Sequence, residues 1–220
     1  MESLDLVIFD MAGTTVEDAG QVPAAFTAAL AEQKIVVSPE EVNAVRGASK
    51  RQAIFALTPE GPDRAARAAA IYAAFVRHLT AEFARGVRPV AGAAETFRWL
   101  RERKVKIALN TGFDREITSL LLAALGWQNG LVDAVVCGDE VSAGRPAPYL
   151  IFHCLEAAGV TSLHRVAAVG DTVLDLQAGH HAGVRWNIGV LSGAHRREQL
   201  AREPHTHLIA HVGELPQLWQ

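Results

Sequence analysis

The sequence predicts an α/β fold: a parallel sheet with helices on both faces, interrupted after its first strand by an all-helical insert. Three observations lead there. Short apolar runs rich in strand formers alternate with helix-period segments from residue 93 onward, and that alternation implies a parallel sheet covered on both sides. Residues 17–85 carry helical patterns and no convincing strand. Several of the expected strands end in short polar clusters, at the place where such sheets line a ligand crevice.

Leu4 to Phe9 is the first apolar run; it stops at Asp10 and runs into the loop Gly13-Thr14-Thr15, as a buried strand does. Val22, Phe26, Ala29 and Leu30 recur at helical spacing within 21–34. Ser38-Pro39-Glu40-Glu41 is a helix start, with Ser as N-cap, Pro at the first helical position and Glu three residues on. Gly47 breaks that helix, and Ser49 is placed to cap another that runs to about Leu57. After the Pro59, Gly61, Pro62 loop comes a long Ala-rich helix, 63–85. Gly86 and Pro89 form the return to the core. Helices are expected at Ala93–Arg103, Asp114–Leu125, 149–158 and 172–182, and strands at Val105–Asn110, 132–137, Val166–Val169 and Val184–Val190. A short strand at Leu208–Ala210 and a closing helix complete the pattern. The expected organisation is a catalytic core of residues 1–16 and 87–220, with a helical cap of residues 17–86.

Composition bounds the function. The chain has 220 residues, a net charge of −3, half its residues hydrophobic and a fifth charged. This suits one domain with an insert, or two small domains. The mild acidity argues against nucleic-acid binding, which needs a basic face. Leu6 to Phe9 is too short and too closely flanked by acids for a membrane span or signal peptide, so a cytoplasmic address is expected. Cys137 and Cys154 form no CxxC, which gives neither a disulfide scaffold nor a zinc site. Basic residues are unevenly divided: 17 are Arg and only four are Lys, namely Lys34, Lys50, Lys104 and Lys106. Chemistry that needs an amine has few candidates.

Four clusters carry the chemistry: Asp10-Met11-Ala12-Gly13-Thr14-Thr15, Asn110-Thr111-Gly112, Gly144-Arg145-Pro146, and Gly170-Asp171-Thr172 with Asp175 one helical turn later. Alone, each is also an ordinary turn or helix cap. Converging on one crevice, they make a site. Asp10 and Asp171 can hold a hard divalent cation such as Mg²⁺. Thr111, Arg145 and backbone N–H groups of the Asp10–Gly13 loop supply donors for a phosphoryl group. A carboxylate nucleophile beside a metal and a cationic clamp is a phosphoryl-transfer site.

These motifs, in this order and with a helical insert between the first and second, resemble the haloacid dehalogenase superfamily. The resemblance covers the whole chain and implies a Rossmann-like core under a cap. It further implies that Asp10 attacks phosphorus, and that Asp10, the Ala12 carbonyl and Asp171 bind Mg²⁺ with Asp175 supporting the metal shell. Thr111 and Arg145 would hold phosphoryl oxygens, with Asn110 and Gly112 beside them. The implied partner is a small phosphorylated or phosphonate metabolite; a homodimer through the cap rests on the resemblance alone.

One departure sharpens this. The usual phosphatase of the superfamily has a second Asp two residues after the nucleophile, to protonate the leaving alkoxide; here that position is Ala12. Asp-Met-Ala-Gly-Thr-Thr-Val looks like the phosphonatase-like branch, in which a cap lysine in a Gly-x-x-Lys arrangement forms an imine and so gives the departing carbon an electron sink. Gly47-Ala48-Ser49-Lys50 has that spacing. Arg46 and Arg51 are neighbours that could lower the pKa of Lys50, and Arg46 and Gly47 are candidate substrate contacts. Other expected parts are absent. Ala53 stands where that branch has a His, Arg46 where it has a Met, Gly20 near its Cys, and Phe113 in place of Tyr. Three functions therefore stay open: cleavage of a small phosphonate such as phosphonoacetaldehyde, a small-molecule phosphomonoesterase in which Lys50 only binds substrate, and a silent phosphometabolite sensor. The nucleophile Asp10 argues against the sensor.

The remaining polar and aromatic residues have structural readings. His180 and His181 are adjacent on a helix and point apart. His195, His205, His207 and His211 are expected at the surface. The two cysteines and the tryptophans are expected to pack.

Overall fold

The computed structural model describes residues 4–128 and 130–219; residues 1–3, 129 and 220, which belong to the expected core segments, lie outside the described residues. Six strands form one parallel sheet: β1 (Leu6–Asp10), β2 (Lys106–Asn110), β3 (Ala134–Val136), β4 (Val166–Gly170), β5 (Trp186–Val190) and β6 (His207–Ile209), in the order β3-β2-β1-β4-β5-β6. The chain leaves β1 towards β2 and β3, then crosses back to β4 on its other side. The connections after β1 and β4 therefore run in opposite directions, and the gap between them is the switch point where open α/β sheets bind ligands.

β1 is buried throughout, and its side chains divide between two layers. Val7 and Phe9 join an apolar cluster that continues into the helical insert, and Leu6 and Ile8 join a second one on the opposite face. Such a strand needs a continuous apolar run, since both of its faces are covered. On the first face Phe9 meets Phe97 of α5 (Ala93–Glu102) at 5.3 Å between ring centroids. On the second, α7 (Tyr149–Ala158) and α8 (Val173–Ala182) supply Leu150, Ile151, Cys154, Ala178 and Ala182. α6 (Arg115–Leu125) follows β2, with Asp114 as its N-cap.

Between β1 and α5 lie α1 (Gln21–Glu32), α2 (Pro39–Ala44), α3 (Lys50–Leu57) and α4 (Arg64–Ala84). The Ser38–Glu41 capping box forms as the sequence predicts. α1 and α4 pack through Phe26 and Phe75, 4.7 Å between centroids, around the fully buried Leu30, Ile71 and Leu79. The outgoing and returning passes of the chain lie side by side. Glu17 N–H donates to the Arg88 carbonyl and Val90 N–H to that of Thr15, each at 2.9 Å.

Element ends depart from expectation in explicable ways. β1 extends to Asp10, whose backbone pairs in register with Asn110. Ser49 makes no side-chain cap to α3; it is buried against the core instead. The closing helix is a 3-10 segment, Val212–Trp219, and contains Pro216, which has no N–H to donate. A one-turn helix, α9 (Arg197–Leu200), was not expected. Among the described residues no helix is long and apolar enough to cross a membrane.

Candidate active site

Strand register assembles the floor. Asp10 and Asn110 are paired at the ends of β1 and β2, and Phe9 pairs with Val169, so Asp171 lies just past the end of the neighbouring strand. Asp175 comes one turn into α8, where it forms a capping box with Thr172. It accepts from Thr172 N at 3.0 Å and Oγ1 at 2.5 Å. Asp10, Asp171 and Asp175 are all buried, with carboxylate oxygens within 4.8 Å of one another. Burial is the main force pushing the pKa of both Asp10 and Asp171 upward; repulsion among the three carboxylates adds to it. Thr14 Oγ1 donates to Asp171 Oδ1 at 3.1 Å and Ala194 N–H to its Oδ2 at 2.6 Å, holding the group in place.

Arg145 ties this floor together. Its side chain is almost fully buried; Nη2 pairs with Asp10 Oδ1 at 2.8 Å and Nε with Asp175 Oδ1 at 2.9 Å. Nη2 also donates to the Asn110 carbonyl at 3.3 Å and to its side-chain oxygen, and Nη1 to the Gly47 carbonyl at 3.2 Å. Arg145 thus neutralises and orients the Asp10 carboxylate, and most of its donors are engaged by protein acceptors. Thr111 borders the cavity, and its Oγ1 accepts from Phe113 N–H at 3.2 Å.

The insert closes over this floor through two glycines. Gly47 has φ 86°, and a Cβ there would lie 2.4 Å from Thr172 Oγ1; one on Gly112 would lie 2.3 Å from the Ala48 carbonyl oxygen. Only residues without a Cβ permit this approach. Lys50 N–H donates to the Gly112 carbonyl at 3.0 Å, which fixes the start of α3 on the core. The Lys50 side chain then turns into the site, with Nζ 3.3 Å from the Ala48 carbonyl and 5.2 Å from the centroid of Phe113. Burial pushes its pKa down to about 8; Arg145 and Arg46 push the same way, and Asp10 opposes.

Asp10, Ala12, Lys50, Thr111, Arg145 and Asp171 border one cavity of about 30 Å³, room for a water or two. Gly47, Gly112, Phe113 and Arg46 border it as well, so the residues singled out in the sequence meet at one place, with Asn110 and Asp175 immediately behind them. Arg51 does not join them. Its guanidinium stacks on Tyr72 at 3.9 Å and lies 3.7 Å from Asp114, so it does not help to lower the pKa of Lys50. His195 is not at the surface: it is buried, its Nδ1 accepts from Val173 N–H at 2.9 Å, and burial lowers its pKa. Asp18 was missed. Its carboxylate borders the cavity, accepts from Gly20 and Val22 N–H at 3.1 and 3.4 Å, and pairs with Arg46. A lone Asp two residues before a Gly resembles any turn former, and nothing in its spacing distinguishes it.

The donor set fits Mg²⁺. Asp10 and Asp171 offer hard carboxylate oxygens facing a cavity bordered by Ala12, and Mg²⁺ takes one or two carboxylates alongside water and substrate oxygens. Asp175 is already engaged by Thr172 and Arg145.

Fold and site together define a hydrolase of the Rossmann-like, capped type. Residues 4–183 match the haloacid dehalogenase-like hydrolase family, and the chain belongs to it. It is 32% identical over 205 residues to phosphonoacetaldehyde hydrolase of Bacillus cereus, covering 87% of this chain and 77% of the relative. It is also 32% identical over 222 residues to that of Bacteroides fragilis, with coverages of 95% and 83%. A solved phosphonoacetaldehyde hydrolase like protein from Oleispira antarctica superposes with a TM-score of 0.84 at 22% identity, over 98% of this chain and 91% of that one.

Proposed function

We propose that this hydrolase cleaves the carbon–phosphorus bond of a small carbonyl-bearing phosphonate, phosphonoacetaldehyde being the simplest. The observation that carries the reading is Lys50, a buried amine with its pKa pushed down to about 8, bordering the same cavity as Asp10 while position 12 offers no carboxylate. The names of the two curated relatives support it.

In this mechanism the neutral Lys50 amine adds to the substrate carbonyl and, with loss of water, forms a protonated imine. Asp10 attacks phosphorus. The carbon–phosphorus electron pair moves to carbon and gives an enamine, with the lysine nitrogen as the sink, so no free carbanion forms. Mg²⁺, held by Asp10 and Asp171, would supply charge neutralisation at the phosphoryl oxygens. Water then hydrolyses the aspartyl-phosphate, the enamine takes a proton, and a second water releases the aldehyde and the lysine. One water is consumed overall. Arg145 keeps Asp10 aimed and ionised despite its burial. A cavity of about 30 Å³ is smaller than such a substrate, so the insert opens to load it and closes to keep bulk water from the intermediate. A small cytoplasmic metabolite is the partner in this reading.

Borohydride trapping tests it. Phosphonoacetaldehyde plus borohydride should leave a reduced adduct on Lys50, read by mass spectrometry of the peptide, and Lys50→Ala should release no phosphate. Phosphate release from phosphomonoesters, unchanged in Lys50→Ala and without an adduct, would establish a phosphomonoesterase instead.

A further inference from the structure

We infer that Arg46 selects substrates whose carbonyl carbon also bears a carboxylate, so that the preferred class is a 3-phosphono-2-oxo acid. This rests on the imine reading above. Arg46 borders the same small cavity as Lys50 and Asp10, and its side chain is only 18% exposed. Burying a guanidinium is costly unless it is paired. Asp18, whose side chain is 2% exposed, supplies the pair through Arg46 Nη2 and is itself pinned by Gly20 and Val22 N–H. Such a fixed arrangement positions a cation beside the reacting carbon.

A guanidinium carries five donors in a planar fork that matches a carboxylate, and Asp18 engages Arg46 at Nη2. The other guanidinium at the cavity, Arg145, is already taken up by Asp10, Asp175, Asn110 and Gly47. Lys50 cannot form an imine and serve as an anion clamp at once. With phosphorus at Asp10 and the carbonyl at Lys50, the third substituent of the carbonyl carbon is left for Arg46. An aldehyde puts a hydrogen there, which a guanidinium donor cannot use; a carboxylate accepts from the planar fork. The same balanced sequence applies: imine formation at C2, attack of Asp10 on phosphorus, transfer of the carbon–phosphorus pair into the C2–C3 enamine, then hydrolysis. The products are pyruvate and phosphate, with one water consumed.

The test compares kcat/KM for 3-phosphonopyruvate and phosphonoacetaldehyde, with borohydride trapping on both. The wild-type protein is expected to prefer the oxo acid, and Arg46→Leu to lower the oxo acid to aldehyde ratio by about 100-fold. Arg46→Lys keeps the charge, loses the fork and should lower the ratio less, which keeps the test decisive if Arg46→Leu does not fold. Turnover and a Lys50 adduct with the aldehyde alone would overturn the inference and leave the proposed function standing. Equal losses on both compounds in both variants would also overturn it, leaving Arg46 a positioning residue. An absence of adduct with either compound would overturn the proposed function and this inference with it.

Discussion

Replacing Lys50 with Met should stabilise the protein while abolishing imine formation. The Lys50 pKa falls from 10.5 to about 8 on folding, chiefly through burial. At 1.36 kcal/mol per unit, the charged amine costs the native state about 3 kcal/mol. That figure already includes the attractions of Lys50 to Asp10 and to its other neighbours. Met keeps the apolar stem beside Phe113 and can make a sulfur–ring contact. Below pH 8 both folded and unfolded chains carry the proton, and the full penalty is present. Between pH 8 and 10.5 the unfolded chain binds more protons than the native one, so wild-type stability rises and the advantage of Met shrinks. Above 10.5 both states are neutral and the difference is gone. Urea unfolding of both proteins from pH 7 to pH 10 measures this. At pH 7 the expected gain is about 3 kcal/mol, a rise of ~6–12 °C in Tm for a chain of this size. A less stable variant at pH 7, or a gain that does not change with pH, would refute the argument that Lys50 is held against its charge.

Other expectations follow from the same geometry. With a carbonyl phosphonate, kcat/KM should rise about tenfold per unit below pH 8 and level off above it, because only the neutral amine forms the imine. A pH–rate profile checks this. Gly47→Ala puts a Cβ 2.4 Å from Thr172 Oγ1 at a φ of 86°. It should push the insert off the core and cost about 100-fold in turnover, with the far-UV circular dichroism spectrum preserved. Chelation with EDTA should abolish phosphate release, and Mg²⁺ but not Na⁺ of equal ionic strength should restore it.

The parts of the site that were legible in the sequence lie at the ends of strands. Asp10, Asn110 and Asp171 stand at or just past the ends of apolar runs that read as buried strands, and the parallel hydrogen-bond ladder delivers such ends to one edge. Lys50 was singled out by the resemblance to the phosphonatase-like branch, whose Gly-x-x-Lys arrangement it shares with Gly47, in a chain with only four lysines. What was not legible depended on contacts across long stretches of chain. Arg145 was expected to hold substrate, yet its guanidinium binds Asp10 and Asp175. Arg51 and Lys50 are neighbours in sequence, but successive residues on α3 project differently, and Arg51 goes to Tyr72 and Asp114. His195 sits amid polar surface sequence and is nevertheless buried behind the start of α8.

The sequence by itself determined the α/β class, the helical insert and the acidic residues at the strand ends. Each follows from local periodicity or from residue chemistry at a strand end, and neither needs knowledge of distant segments. The tertiary structure decided how charge is shared. It committed Arg145 to the carboxylates and left Arg46 beside the amine, anchored by Asp18. Those choices belong to a desolvated cavity where insert and core meet, and there an ion's partner is set by distance through space rather than by position along the chain.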